Sequence, residues 1–219
     1  MPNRPTIYYF CHDNPSPTGG NKQIYRHVDI LNNNGYSAYV VHNSPGYRMT
    51  WFENQTPVTY WEELWSGKID RQNDHLVIPE DFPILEQALP VRTVIFNQNV
   101  FLGFAMHQFK NDLTYNYDSH NIVSVMTVSQ NNKDILQFIY PKLNIQRVVN
   151  GIDPGLFEHV DLERKNAKIA IVGNKNPLDA CFVTQVLQQR AQQGLNQLGR
   201  YRFEIIAGKT EQEVKNILA

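Results

Sequence analysis

Residues 7–34, IYYFCHDNPSPTGGNKQIYRHVDILNNN, contain the pattern that decides the fold. An apolar run at 7–11 predicts a buried strand, and a loop that reaches Gly19 and Gly20 follows it. A helix is predicted next, because apolar side chains recur at helical spacing at Ile24, Val28 and Leu31. Strand, glycine turn and helix form the opening unit of a doubly wound α/β domain, in which ligands sit at the carboxyl ends of the strands.

Gly19 and Gly20 are open to two interpretations. Because they lack a Cβ, the backbone can come close to a ligand there, and the helix behind them offers free N–H groups to an anion. The alternative is a tight turn that binds no ligand. An isolated Gly-Gly pair does not separate the two.

The composition indicates a globular protein with a sizeable core and no strong charge. The chain has 219 residues, 42% of them hydrophobic, and a formal net charge of −1. That charge implies no general attraction to nucleic acid or to an anionic membrane. Cys11 and Cys181 lie in separate apolar runs, which predicts two buried thiols in a reducing compartment. No stretch reaches membrane-spanning length and no signal core opens the chain, so we expect a cytoplasmic protein without a transmembrane segment.

Further apolar runs predict a parallel sheet that continues along the chain. The predicted strands are Ser37–His42, His75–Pro79, Arg92–Phe96, Ile122–Val128 and Gln146–Val149. A short helix is predicted at 82–89, and a second one after Ser129, which stands at an N-cap position.

Residues 43–75 form a long excursion between the second and third predicted strands. It contains a predicted short helix, WEELW, and is rich in aromatic residues: Trp51, Phe52, Tyr60, Trp61 and Trp65. An excursion of this length is usually functional or packed on itself. Its aromatic residues therefore either form a wall for a sugar or lipid acceptor, or pin the excursion to the core.

Three amides, Asn97, Gln98 and Asn99, follow the predicted strand Arg92–Phe96. They stand where open α/β sheets keep their ligands, and amides both donate and accept hydrogen bonds, which suits hydroxyl-rich sugars. The alternative is a capped turn.

A metal site is disfavoured in the next segment of the chain. Its possible ligands are His107, Asp112, Asp118 and His120, and their spacing matches no zinc or calcium signature.

A second unit begins near residue 150. Residues 151–166 are polar and broken by proline and glycine, which predicts a linker between a domain at 1–150 and a partial one at 167–219. The α/β alternation restarts with strands at 168–172 and 202–207. One helix is predicted from the apolar residues Phe182, Val183, Val186 and Leu187. A final helix is predicted from the capping box of Thr210 and Glu213. Two strands and two helices cannot bury a sheet alone, so the unit docks on something or is a fragment, and its exposed edge predicts self-association as a homo-oligomer.

Several signatures of other enzyme classes are absent from the sequence. It has no Gly-x-Gly-x-x-Gly after the first strand, no Walker lysine loop and no Gly-x-Ser-x-Gly elbow. It also lacks the Asp-x-Asp pair with which many metal-dependent sugar transferases hold a cation and a diphosphate.

The order of the remaining motifs resembles one family. The Gly-Gly loop is followed by LVIPE, VIFNQNVF, TVSQNNKDIL, VVNGID and a restarted α/β unit. This series is similar to the GT-B glycosyltransferases of the large retaining, glycogen-synthase-like class, particularly the bacterial group 1 type. The resemblance spans essentially the whole chain. It implies a Rossmann-like doubly wound parallel sheet on the acceptor side, followed by the incomplete start of a second Rossmann-like domain on the donor side.

The resemblance also implies a function and site residues. A sugar would pass from a nucleotide-sugar substrate to an unknown acceptor, with no metal and no other cofactor, and stabilising the leaving diphosphate would be the main catalytic term. Gly19 and Gly20 match the loop that closes on the diphosphate, and Lys175 matches the lysine of a basic pair. The pair is usually Arg-Lys, whereas this sequence has Asn174 and Lys175, so one charge is missing.

The sequence departs from the family at its end. A strand and a run with two glutamates, which hold the donor's ribose and sugar, should follow the last helix, but the sequence stops at Ala219. We therefore expect a truncated chain that is inactive or impaired, and no catalytic residue is identified. A non-catalytic module that binds a sugar, a nucleotide or a protein is the alternative. An unrelated α/β enzyme is a third option, but no catalytic constellation for one is found.

Overall fold

The computed structural model of the chain describes residues 4–82, 89–108, 117, 121–157, 159–161, 163, 165, 167–173 and 176–218, with backbone alone at 105–108. The chain divides into two compact units. The first unit comprises Met1–Asn14, Thr18–Thr50 and Asn54–Asn150, and the second comprises Pro15–Pro17, Trp51–Glu53 and Gly151–Ala219. No helix within the described residues has the length and apolar character needed to cross a membrane.

Seven parallel strands build the sheet of the first unit. They are β1 (Thr6–Phe10), β2 (Ser37–His42), β3 (Val58–Tyr60), β4 (His75–Pro79), β5 (Arg92–Asn97), β6 (Ile122–Thr127) and β7 (Ile145–Arg147). Their order across the sheet is β3-β2-β1-β4-β5-β6-β7. The chain first adds strands on one side of β1 and then, from β4 onward, on the other. This confirms the predicted Rossmann-like doubly wound sheet.

Helices flank this sheet and its central strands are buried. The helices are α1 (Gly19–Asn33), α2 (Trp61–Glu63), which continues into a wider turn at Leu64–Lys68, α3 (Val100–Gln108) and α4 (Gln130–Ile139). Leu76 and Ile78 of β4 and Ile95 of β5 are fully buried in one apolar cluster. Near-continuous apolar runs are typical of parallel strands covered on both faces, which is why these strands were visible in the sequence.

The long excursion at 43–75 packs on the core through two of its tryptophans. It contains β3, a strand the sequence did not predict, which pairs with the end of β2. Trp61 packs against Phe10 and Phe82 with ring centroids 5.5 Å apart in both cases, and Trp65 packs against Trp61. Since both tryptophans lie against the core cluster, they pin the excursion to the core.

Helix α4 begins with the predicted N-cap. The Ser129 hydroxyl accepts a hydrogen bond from the backbone N–H of Asn132 at 3.1 Å. Replacing Ser129 by alanine should lower the free energy of unfolding by about 1 kcal/mol, because a first-turn N–H loses its acceptor. Chemical denaturation measures this loss. Ser129→Asp restores an N-cap acceptor and serves as the control, and equal stability of the alanine variant and the native chain would refute the cap's contribution.

The second unit contains a two-stranded parallel sheet. Its strands are β8 (Lys168–Val172) and β9 (Arg202–Ile206), and its helices are α5 (Pro177–Gln192) and α6 (Glu211–Leu218), with a 3-10 turn at Leu198–Arg200. The capping box is present, since the Glu213 carboxylate accepts from the N–H and hydroxyl of Thr210.

The packed face of α5 differs from the one suggested by its most apolar residues. The large apolar side chains of Phe182, Val183 and Val186 are exposed. The side chains that face inward are Ala180, Thr184, Leu187 and Ala191. Helix α5 comes close to the end of β8 at Ala180, because a Cβ built on Gly173 would lie 3.7 Å from the Cβ of Ala180. The expectation of two buried thiols was also wrong for Cys181, which is exposed on this helix, while Cys11 is buried. Self-association through this unit stays a prediction.

Some sequence predictions fall outside the described residues. These are most of the short helix at 82–89 and the side chains of His107, Asp112, Asp118 and His120.

Candidate functional site

The first sheet reverses its winding between β1 and β4. These strands are neighbours, with Tyr8 of β1 opposite Leu76 of β4, yet the chain builds β2 and β3 on the far side of β1 before it returns. The crevice at the carboxyl ends of two such strands is where open α/β sheets bind ligands. The residues that follow β1 and β4 therefore define a candidate site, and they include His12 and Asp81.

His12 and Asp81 form a hydrogen-bonded pair at this switch point. The Nε2 atom of His12 lies 2.9 Å from Oδ1 of Asp81, although 69 residues separate them in sequence. Because an ionised carboxylate only accepts, Nε2 carries the proton and donates it. Nδ1 of His12 has no hydrogen-bond partner in the part of the chain that the structure describes. The side chains are 38% and 28% exposed, so the pair is accessible to solutes.

The surroundings of His12 favour its protonated form. Its hydrogen bond to Asp81 raises the pKa of the imidazole, burial opposes this, and the negative charges of Asp81, Asp13 and Glu80 raise the pKa further. The net pKa is higher than that of a free histidine. His12 is therefore a stronger base than an isolated imidazole.

Glu80 connects the switch point to the loop after β5. It is 3% exposed, and its two carboxylate oxygens accept from the backbone N–H groups of Gln98 at 3.0 Å and Asn99 at 2.7 Å. Burial raises the pKa of Glu80, and these two hydrogen bonds oppose the rise. A carboxylate held in this way fixes the backbone of the neighbouring loop.

The three predicted amides have different environments. Asn97 is 1% exposed, and its side chain donates to the Tyr117 hydroxyl at 3.1 Å and accepts from Asn132 at 3.4 Å. Asn99 is exposed and accepts from the N–H of Phe101, so it caps α3. Gln98 is half-buried and its side-chain amide has no hydrogen-bond partner among the described residues. Among the described residues, Gln98 is the one of the three amides whose side chain makes no hydrogen bond.

Helix α1 begins at the predicted glycines, next to Gln98. A Cβ built on Gly20 would lie 2.9 Å from Oε1 of Gln98, whereas one on Gly19 would meet nothing within 4 Å. Thr18 precedes the helix with an extended backbone and gives no side-chain cap, and its buried hydroxyl oxygen has no partner among the described residues. No acidic residue lies in the first turn. The helix start thus presents uncapped N–H groups and its positive dipole end, which is a suitable environment for an anion.

A buried network supports the loop after β1. His42 is fully buried, and its Nδ1 donates to the carbonyl of Cys11 and to Oδ1 of Asp13, both at 3.0 Å. Its Nε2 accepts from the Tyr25 hydroxyl at 2.8 Å, which in turn accepts from the N–H of Met49. All these roles are satisfied by one neutral tautomer.

The pKa values agree with that tautomer. Burial lowers the pKa of His42, although Asp13 opposes the shift. Burial alone would raise the pKa of Asp13, but hydrogen bonds from Ser44 and Asn43 outweigh it, and the net pKa is lowered. The pair is therefore a neutral imidazole bonded to a carboxylate, and Asp13 also accepts from the backbone N–H groups of both neighbours.

His12, Asp81 and Glu80 were not predicted as site residues from the sequence. The signal was present, since each follows the carboxyl end of a predicted strand, the same rule that singled out the three amides. Lys175 and its neighbour Asn174, the predicted donor-side residues, lie outside the described residues. Within the described residues, no group of three His, Cys, Asp or Glu side chains is placed to hold a metal ion.

Comparisons with known proteins identify one solved structure of interest. No protein-family model matches the sequence, and no curated protein does. The structure is that of an alpha-glucosyltransferase in complex with UDP and a 13-mer DNA containing a HMU base, with a TM-score of 0.56 and 12% sequence identity. The match covers 97% of this chain and 69% of the other. The two proteins share a fold. At this level of identity the similarity establishes the fold alone, and function has to be argued from the site.

Proposed function

We propose that this chain is a glycosyltransferase-type protein that binds a nucleotide-sugar at the carboxyl-end edge of its first sheet. The observation that carries the proposal is the uncapped start of α1 at Gly19 and Gly20, which lies against Gln98 beside the switch point. The shared fold with an alpha-glucosyltransferase whose structure contains UDP supports it. The motif resemblance to the group 1 GT-B glycosyltransferases supports it independently.

Each residue of the proposed site has a role that follows from its chemistry. The N–H groups at Gly19 and Gly20 bind the diphosphate, and the positive end of the α1 dipole stabilises the charge that grows on it as it leaves. The Gln98 amide contacts sugar hydroxyls. Lys175, proposed from the motif resemblance, supplies a positive charge. The diphosphate is thus bound without a metal ion.

We propose UDP as the nucleotide and a hydroxyl-bearing molecule as the acceptor. The DNA in the related structure belongs to that protein. In this chain 20 basic residues are outnumbered by 21 acidic ones, and a protein that binds nucleic acid backbones generally carries a basic excess. The acceptor is therefore proposed not to be a nucleic acid.

Replacing Gly20 by valine should weaken the binding of UDP. The native chain should bind UDP with a Kd on the order of 1 mM, because a few backbone N–H groups supply about 4 kcal/mol of binding free energy. The new side chain would displace Gln98 and cover those N–H groups, so we expect at least a tenfold weaker affinity. Isothermal titration calorimetry measures both values, with a chelator present so that metal-assisted binding is excluded.

Gln98→Ala is the matched control. It removes the same side chain that the Gly20→Val substitution would displace, and UDP carries no hexose for Gln98 to contact, so its UDP affinity should stay within about threefold of the native value. Its affinity for UDP-glucose should fall by more. If the native chain does not bind UDP, or if Gly20→Val binds it equally well in a folded state, the proposed site is wrong.

A further inference from the structure

We propose that the outer face of α5, in the second unit, is a self-complementary surface on which a second copy of this chain docks with the two helices antiparallel. The outer face is the side of α5 that carries Leu178, Phe182, Val183 and Val186. Docking of this kind is independent of nucleotide binding, because none of these residues belongs to the proposed nucleotide-sugar site.

The outer face of α5 is apolar and uncovered. Leu178, Phe182 and Val186 recur at intervals of four residues, so they lie in one row along the helix, and Val183 lies beside them. All four side chains are exposed, from 38% for Val186 to 84% for Leu178. The opposite side of the helix is the one that packs within the unit, where Thr184 is buried. A row of large apolar side chains with no packing role in its own unit is typical of an interaction surface.

Two opposite charges share this face, one near each end of the helix. Asp179 is in the first turn and Arg190 in the last, and both are exposed. Asp179 comes two turns before Val186 and three before Arg190, so all three residues point to the same side at 3.6 residues per turn. Among the described residues, neither charge forms an ion pair. Both charges are therefore available to a partner.

The order of the charges favours a second copy over a lipid surface. An anionic membrane attracts bases and repels acids, so a membrane-binding face carries basic residues alone. Here an acid stands at one end of the apolar row and a base at the other. A second α5 that runs in the opposite direction presents the reverse order, and it therefore matches both charges at once.

One two-fold axis satisfies the charges and the apolar residues together. In a symmetric pair, residue i of one copy contacts residue j of the other, and j contacts i. An axis at the midpoint of Asp179 and Arg190 places each opposite the other's counterpart. The midpoint of Phe182 and Val186 lies half a residue away, about 0.8 Å along the helix. Phe182 of each copy therefore packs on Val186 of the other in the register that pairs the charges.

Pairing through the open edges of the two-stranded sheet is the alternative way for two copies to associate. β8 and β9 pair only with each other, so each has an edge that could add a strand. Backbone hydrogen bonds would hold such a pair, and it would not require the side chains of the outer face of α5. Substitutions on that face therefore separate the two modes of association.

Sedimentation equilibrium of the full chain measures the association. We expect a dimer with a Kd of roughly 10 µM, because two packed helices bury less area than a standard interface. Phe182→Ser should raise the Kd about tenfold or more, since the largest side chain of the contact is lost. Phe138→Ser, at an exposed phenylalanine of α4, is the matched control and should leave the Kd unchanged. Circular dichroism checks that both variants are folded.

Charge reversal tests the antiparallel register. Asp179→Arg and Arg190→Asp should each raise the Kd about tenfold, because like charges then face each other at both ends of the contact. An equimolar mixture of the two variants should return to within about threefold of the native Kd. In the mixed dimer the two substituted positions face each other with opposite charges, and the remaining Arg190 faces the remaining Asp179.

Three results would overturn the proposal. The first is a native chain that stays monomeric at about 200 µM, twenty times the expected Kd. The second is a dimer that Phe182→Ser leaves intact in a folded state, which would indicate pairing through the sheet edge. The third is a mixture of the two charge variants that associates no more tightly than either alone, which would exclude the antiparallel register.

Discussion

Replacing His42 by alanine is expected to lower the free energy of unfolding by about 4 kcal/mol. The imidazole is fully buried, and its removal leaves a cavity in the core. It also leaves the Tyr25 hydroxyl without its acceptor and deprives the Cys11 carbonyl of a donor. Urea denaturation measures the loss. His159→Ala, at an exposed histidine, should change the free energy by less than about 0.5 kcal/mol.

The cost of losing His42 should depend on pH. Burial holds its folded-state pKa below the unfolded value of about 6.5, so the unfolded chain binds the proton more readily. The stability contributed by the neutral ring is complete above pH 6.5 and declines as the pH falls below it. The difference in unfolding free energy between the native chain and His42→Ala should therefore shrink from pH 7.5 to pH 5.5. A constant or growing difference would show that the ring is not neutral.

Glu80→Ala is expected to lower the free energy of unfolding by about 2 kcal/mol and to weaken UDP-glucose binding. Two backbone N–H groups, those of Gln98 and Asn99, lose a carboxylate acceptor, and each such bond contributes about 1.5 kcal/mol or more. Part of that loss is recovered, because a carboxylate no longer has to be buried. Since the loop loses its anchor, the Gln98 side chain also loses its position over Gly20.

Glu80→Gln distinguishes the anchor from the charge. Burial raises the pKa of Glu80, so an uncharged side chain of the same length is tolerated better than a truncated one. One amide oxygen still accepts from the loop, and we expect a loss of about 1 kcal/mol or less. Denaturation and calorimetry on the two variants test this order. If glutamine destabilises the protein more than alanine does, the carboxylate's charge outweighs its role as an acceptor.

The sheet could be predicted because each of its central strands reads as an isolated apolar run. Most residues in runs such as HLVIP and RTVIF are buried, on both faces of the sheet, and such runs are too short for a typical helix. β3 escaped prediction because it is only three residues long and ends at Tyr60, where a helical turn follows at once. Its place in the sheet is set by pairing with β2, which is a tertiary contact.

The candidate site was predicted only in part, for a related reason. Gly19 and Gly20 are local signals, because glycine before a helix has a meaning within a few residues. The His12 and Asp81 pair exists only because β1 and β4 become neighbours, and the sequence alone does not give that register. For the amides, the rule about strand ends pointed to the loop that lies against Gly20. It did not distinguish Asn97, which is buried, from Gln98, whose side chain is partly exposed and makes no hydrogen bond among the described residues.

The packed face of α5 shows the same limit. Its largest apolar side chains, such as Phe182, are exposed, whereas Ala180 faces inward and lies 3.7 Å from the Cβ position built on Gly173. Periodicity located the helix correctly. Which side of it packs depends on how near the neighbouring strands come.

Binding of a diphosphate at the start of α1 can be followed directly by an amide chemical-shift titration with UDP on isotope-labelled protein. If the start of α1 binds the diphosphate, UDP should shift the backbone resonances of Gly19 and Gly20 and the side-chain amide of Gln98, with one common affinity. In Gly20→Val, the responses of Gly19 and of the Gln98 side-chain amide should be lost. Shift changes confined to other parts of the chain, or none at a UDP concentration of about 10 mM, roughly ten times the expected Kd, would contradict it.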